Sequence, residues 1–422
     1  MNTHLTLLIY YVTIKLETLV TIREVFMKKS IAFVLLIAFI IPIFSACKGE
    51  QTDIWDGSIA TSFESGDGSE SAPYEIKTCA QLAYLAQQIN TGVSYTGKSF
   101  SLTSNLDLNN ISWTPIGNGI YAFDGNFNGN GYTVSNMNID TLTVFDKVYS
   151  HTTTKEAVAG LFGYCTDATI SNLNINDSQM LVSNIGGFDQ IHTGFLVGYT
   201  QIDSLCKFQS IKIDNSIVSV KKTEEYGKTA NSMLHTAGLV GYIYVAQGAD
   251  CKLDLIDVNI QASIEEKADT SYVGGICGIA FCENSSLDCS NFISYLDVNW
   301  QTDFKDNAAG AFGGTGILNS YMKLNNGFSE VNTNKKSTEV EYTYSYGANA
   351  IVGKLHHTKN QDRTVSGQYE FSNLYGCVKP LEGADFEAPI LSLYLMPAHA
   401  IYTEDNCYGA LTPPEGFNML PN

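Results

Sequence analysis

The chain has 422 residues, of which 44% are hydrophobic and only 16% charged. With 36 glycines, 9 prolines and abundant Asn, Ser and Thr, the composition favours many short strands and turns over long helices. A formal net charge of -19 excludes the basic surface that nucleic acid or anionic lipid heads require.

Residues 1–26 precede a better start at Met27 and read as a mis-assigned start. Met27-Lys28-Lys29 is a basic opening, Ile31 to Phe44 is an apolar run, and Phe44-Ser45-Ala46-Cys47 follows it. That order is a secretory signal over 27–46. The run is shorter than the about 20 residues that span a bilayer. Its last four residues resemble the lipobox of bacterial lipoproteins, although Phe44 stands where Leu is usual. The resemblance implies lipidation of Cys47 and an outer-membrane anchor; in the tether expected over 47–53, Lys48-Gly49-Glu50-Gln51-Thr52-Asp53 resembles the surface-export signal of Bacteroidetes lipoproteins, the alternative being a plain polar tether.

An N-terminal cap is expected over 54–117. Thr78-Cys79-Ala80-Gln81 is a capping box, with Thr78 as N-cap and Gln81 as the third helical residue. Leu82, Leu85, Ala86 and Ile89 follow at helical spacing, and Gly92 ends the helix. One amphipathic helix at this place suits covering the open first rung of a stack of strands.

Over 118–360 a four-residue block recurs: Gly160-Leu161-Phe162-Gly163, Phe195-Leu196-Val197-Gly198, Gly238-Leu239-Val240-Gly241, Gly275-Ile276-Cys277-Gly278, Gly310-Ala311-Phe312-Gly313 and Ala350-Ile351-Val352-Gly353. Spacings of 35 to 43 residues mark a repeat architecture. Segments such as Ile170-x-x-Leu173-x-Ile175 and Phe208-x-x-Ile211-x-Ile213 place apolar residues at i, i+3 and i+5. A strand changes face every two residues, so the extra residue marks a corner between two short strands. The pattern predicts an all-β, right-handed parallel β-helix. The glycines are expected at its bends, accepting positive φ and leaving room for the next rung.

In the expected register, small residues Ala168, Cys206, Cys251 and Ser285 superpose, as do Ile170, Phe208, Leu253 and Leu287. Cys206 and Cys251 then serve as small corner residues, or alternatively form a disulfide between adjacent rungs. Tyr164, Tyr199 and Tyr242 each follow the second glycine of a block. They predict a stack of rings, which either packs rung on rung or offers a ligand such as a sugar a platform. Residues 361–422 lose the repeat, carry six of the nine prolines and are expected to close the coil, with Leu391, Leu393 and Leu395 as a last strand.

Chemistry is sparse. Asp124-x-Asn126-x-Asn128-Gly129 has half of a calcium loop, but Ser135 stands at the twelfth position. His356-His357 lies outside any His-Glu-x-x-His pattern. Asp254 with Asp288, stacked in the expected register, or Asp257 alone, are the carboxylates a β-helix polysaccharide lyase or hydrolase would use. Neither a catalytic set, a metal site nor a cofactor site is expected.

Trp55-Asp56-Gly57, Pro73-Tyr74-Glu75-Ile76, Leu106-Asp107-Leu108-Asn109 and Trp113-Thr114-Pro115-Ile116-Gly117 resemble the head of Bacteroides surface lipoproteins. The Gly-Leu-Val-Gly blocks are similar to the GLUG repeat of adhesin-like proteins and of the non-catalytic part of some immunoglobulin A proteases. The resemblance covers about 54–260 well and 261–360 loosely, and implies a β-helix at the cell surface. The expectation is a non-enzymatic surface protein binding a host or microbial glycan or surface protein. The alternatives are a polysaccharide-cleaving enzyme and a structural spacer.

Overall fold

The computed structural model describes residues 52–149, 152–183, 187–220, 233–265, 270–301, 307–335, 347–357, 367–382, 384, 402–414 and 417. Cys47, the signal and Leu391 to Leu395 lie outside them. The described chain is a parallel β-helix with one α-helix near its start.

One long sheet stacks Thr169–Asn176, Leu205–Val220, Asp250–Ile264, Ser286–Trp300, Tyr321–Thr333 and Gln368–Pro380, each parallel to the next. A second sheet stacks the segments that carry the glycine blocks: Gln190–Gly194 and Val197–Ile202, Met233–Ala237 and Val240–Val245, Thr270–Glu283, and Asn307–Leu318. Between the sheets lies a continuous core. Phe162, Phe208, Phe292, Phe312 and Phe371 are almost wholly buried, along with Ile170, Leu173, Ile211 and Ile256.

The coil exceeds its expected limits at both ends. Thr52–Ile54, at the end of the expected tether, pairs with Asn105–Asp107, so stacking begins within the expected cap. Gln368–Pro380 pairs in register with Tyr321–Thr333, so stacking continues past residue 360. Proline does not interrupt it, because Pro380 sits at the very end of its strand.

Helix α1, Cys79–Asn90, forms as expected. Both halves of the Thr78–Gln81 capping box are present, and Asp53 Oδ2 accepts the Cys79 amide at 2.7 Å. At the other end Gly92 takes φ +96°, and the amides of Gly92 and Val93 bond back to Ile89 and Gln88. This reciprocal pattern closes a helix only when a residue such as glycine accepts the left-handed conformation.

The corner between the i and i+3 residues is real, but asparagine makes it. Asn172, Asn291, Asn326 and Asn373 hold φ near +50°, while Ser210 and Leu255 hold the same conformation in the intervening rungs. Asn tolerates this region better than other side chains and can bond locally. Asn291 Nδ2 donates to Asp254 Oδ1 at 2.8 Å, Asn326 Nδ2 to Asn291 Oδ1 at 2.7 Å, and Asn406 Nδ2 to Asn373 Oδ1 at 2.6 Å.

The block glycines do something else. Among the described residues none of them has positive φ. Their role is close approach: a Cβ on Gly241 would lie 2.5 Å from the Thr193 nitrogen and 2.6 Å from the Gly198 oxygen.

The expected register also needs correction. Ala168 adjoins Cys206, and Cys206 pairs with Cys251, but Cys251 pairs with Leu287 and Leu253 with Cys289. Ser285 therefore leaves the small-residue column, and Leu287 leaves the Leu253 column. Asp254 lies opposite Ser290, while Asp288 lies opposite Lys252, so the two carboxylates do not stack. The cause is corner length: three residues separate Ile202 from Cys206, five separate Val245 from Cys251, and four separate Cys282 from Leu287. Cys206 and Cys251 are buried thiols, not a disulfide.

Candidate functional site

Two places on the described coil gather polar chemistry. The first is an open groove of about 500 Å³ along the asparagine corner, lined by Asn130, Asn172, Asn174, Ser210, Lys212 and Asp257 among others. Strand alternation builds it. Asn174, Lys212 and Asp257 occupy successive rungs in one register, facing away from the core residues Leu173, Ile211 and Ile256 beside them. Asn174 Nδ2 donates to the Gly131 carbonyl at 2.7 Å, which fixes one amide at the groove wall.

Lys212 Nζ lies 3.8 Å from Asp257 and 3.9 Å from Asp214. Partial burial pushes the Asp257 carboxyl above its ordinary value; Lys212 opposes that shift and Asp214 adds to it. The groove therefore presents neutral amides and a hydroxyl around one cation and one acid that holds its proton unusually well. Of the carboxylates expected to matter, Asp257 alone lines this groove. Asp254 is engaged by Asn291 and by Gln209.

The second place is a crease in the glycine-block sheet. Each rung bends at its block, and the outward side chains of the strands before and after the bend meet. Tyr164, Tyr199 and Tyr242 form the expected stack, with ring centres 5.2 Å apart at both steps. The stack is interleaved from the facing strands: His192 lies 5.0 Å from Tyr242 and 4.9 Å from His235, which in turn lies 5.8 Å from Tyr272. Tyr199 is 1% exposed. Its ring is packed by its neighbours, and Lys147 Nζ sits 3.9 Å above its centre while also contacting its hydroxyl.

Lys147 comes from a hairpin that nothing in the repeat pattern announces. Strands Thr143–Tyr149 and Thr152–Ala159 pair antiparallel, against the parallel order of the coil, and lay Phe145, Lys147 and Glu156 on the crease. Glu156 and His192 are wholly buried, with Oε2 and Nε2 3.3 Å apart. Thr154 Oγ1 donates to the other carboxylate oxygen at 2.8 Å, and the Nδ1 atoms of His192 and His235 are 2.9 Å apart. Burial pushes His192 below its ordinary value. Burial alone would raise Glu156, but its donors His192 and Thr154, with Lys147 nearby, hold it below the usual carboxylate range. The consistent state at neutral pH is an ionised Glu156 accepting from a neutral His192.

Sequence reading thus located the tyrosine column and missed the groups around it. A signal existed: Ile191-His192-Thr193-Gly194 and Leu234-His235-Thr236-Ala237 repeat the same order just before their blocks. Glu156 and Lys147 lie in the hairpin, where no repeat could flag them. Among the described residues, no cluster of His, Cys, Asp or Glu is large enough to hold a metal ion. No helix among them is long and apolar enough to cross a membrane.

No protein-family model matches the chain. It is 29% identical over 139 residues to halomucin of Haloquadratum walsbyi, covering 31% of this chain and 1% of that protein. It is 33% identical over 79 residues to a candidate Gly-rich membrane protein of Evansella cellulosilytica, covering 18% of this chain and 9% of that protein. The chain thus spans under a tenth of the length of these curated relatives. A crystal structure of a candidate immunoglobulin A1 protease from Bacteroides ovatus covers 82% of this chain and 87% of that one, with 17% identity and a TM-score of 0.46.

Proposed function

We propose that this chain is a lipid-anchored outer-membrane protein of the cell surface that binds a glycan or a surface protein, without catalysis, through the asparagine-corner groove. The observation that carries this reading is the groove's lining: amides of Asn130, Asn172 and Asn174 and the Ser210 hydroxyl around the Lys212–Asp257 pair. Planar amides donate and accept at once, which matches the paired hydroxyls of a sugar ring or the backbone of an extended peptide. The length of the repeat surface gives a large partner room to lie along it. The anchor rests on Cys47 and the signal-like run before it.

The test is a glycan array and a cell-binding assay with residues 48–422, beside the Asn174→Ala/Lys212→Ala double variant. Binding by the parent that the double variant loses by tenfold or more supports the groove. Silence on both assays at micromolar protein overturns the binding reading.

One observation favours a second reading, a polysaccharide-cleaving enzyme. An acid with a raised proton affinity beside a lysine is a pair suited to proton transfer. Incubation with host and plant polysaccharides, followed by assay for new reducing ends or unsaturated sugars, tests it. Product formation that Asp257→Asn abolishes would establish the enzyme.

A further inference from the structure

The corner that leads from the glycine-block sheet into the long sheet opens on a pit of about 650 Å³ that shares no lining residue with the groove. Strand alternation shapes it. Leu205, Asp250, Ser286, Tyr321 and Gln368 occupy successive rungs in one register. All five point outward, since Cys206, Cys251, Leu287, Met322 and Tyr369 beside them are buried. Ser286 is the short member of this column, between Asp250 and Tyr321. Its hydroxyl donates to Asp250 Oδ1, which turns it away from Tyr321. Gly248 and Gly367 flank the pit at its outermost rungs and add no side chain to narrow it.

Tyr321 is 36% exposed. Unlike the tyrosines of the crease, it pairs with no other ring among the described residues. Its hydroxyl donates to Glu370 Oε2 on the next rung, and Lys323 Nζ lies 3.0 Å from Glu370 Oε1. That carboxylate, engaged at both oxygens, draws the ring toward the rung of Gln368 and leaves the face toward Ser286 bare. One rung spacing is about 4.8 Å. Elsewhere in this coil it seats one ring: Tyr199 and Tyr242, on adjacent rungs, have centres 5.2 Å apart. A ligand ring resting over Ser286 would stand to Tyr321 as Tyr199 stands to Tyr242, with Asp250 on its far side.

The groups around that slot are complementary to hydroxyls. Asp250 Oδ1 accepts from Ser286, and the other carboxylate oxygen has no partner among the described residues. Asn319 Nδ2 donates to Asn284 Oδ1 at 3.2 Å, which fixes the Asn284 amide and leaves its Nδ2 as a donor. An acceptor and a donor beside an aromatic face suit a pyranose, whose C–H face is apolar and whose rim hydroxyls both donate and accept. Asp250 is the one charged residue among those lining the pit, so an anionic sugar meets repulsion there and no balancing cation. An aromatic peptide side chain would cover the ring but give the two polar groups no partner. We propose that this pit binds one neutral sugar residue, stacked on Tyr321 and held by Asp250 and Asn284. The site is separate from the groove and does not rest on it.

Saturation-transfer NMR titrations of the full chain test it, with neutral hexasaccharides of glucose, galactose, mannose or N-acetylglucosamine, and with hexagalacturonate as the anionic counterpart. At least one neutral sugar should bind at millimolar concentration or below. Tyr321→Ala should weaken that binding by about fivefold or more, and Ser286→Leu, which fills the slot, by as much. Both replace outward side chains, and either one decides if the other does not fold. The Asn174→Ala/Lys212→Ala variant, altered in the groove, should bind the sugar as the parent does. Binding of none of the neutral sugars overturns the proposal, and so does a preference for hexagalacturonate or an affinity that Tyr321→Ala and Ser286→Leu leave unchanged. Loss of binding in the groove variant alone also overturns the pit, while the groove reading stands.

Discussion

At the scale of single residues, the coil separates two jobs that a turn-rich composition tends to merge under glycine. Left-handed corners fall to asparagine, and close backbone approach falls to glycine. The two can be distinguished by substitution. Asn291→Ala imposes φ +54° on a residue with no local bond to offer and removes the bonds to Asp254 and Asn326. It should cost about 2–3 kcal/mol, the sum of left-handed strain and lost hydrogen bonding. Asn291→Gly removes only the ladder and should cost about 1 kcal/mol. Urea midpoints of the two variants measure the difference, and equal costs would show that φ is not what selects Asn. Gly241→Ala introduces a Cβ within 3 Å of backbone atoms that have no side-chain freedom to yield. It should destabilise by about 1–3 kcal/mol in the same measurement.

At the scale of elements, helix α1 is the most locally determined part of the fold. Its start is held by the Thr78 hydroxyl, the Gln81 side chain and the Asp53 carboxylate, and its end by Gly92. Thr78→Ala should cost about 1 kcal/mol, read as a lower urea midpoint. Serine at the same place should restore most of it. These contacts span a few residues, apart from Asp53, so the helix was legible in the sequence almost to its ends. The hairpin was not. Neither Thr143–Tyr149 nor Thr152–Ala159 alternates apolar with polar residues, so no strand period marks them, and their antiparallel direction follows from tertiary placement. Glu156, which sequence alone would put in solvent, is buried because His192 and Thr154 satisfy it.

At the scale of the molecule, each rung touches chiefly the rungs beside it, so damage should remain local. Phe292 illustrates this. Its ring fills the space over Gly327 in the next rung, where a Cβ would approach within 2.1 Å. Phe292→Ala should cost about 3–5 kcal/mol. Hydrogen exchange should rise in 286–300 and 321–333 while residues 99–107 keep their protection. A uniform rise along the chain would mean that the coil unfolds as one unit.

The amino-acid order by itself determined that the chain coils in parallel rungs, where its inward aliphatics lie, that a capped helix stands near the start and that Tyr164, Tyr199 and Tyr242 stack. All of these depend on periodicity or on contacts between near neighbours, which sequence displays directly. Tertiary structure alone decided the register beyond Cys251, the separation of Asp254 from Asp288, and the union of Lys147, Glu156, His192 and His235. Corners of three, four and five residues shift whole strands by an amount that no block spacing records. Buried charge is likewise tolerated only where the folded chain brings donors to it, here Thr154 on the same strand and His192 on the neighbouring rung.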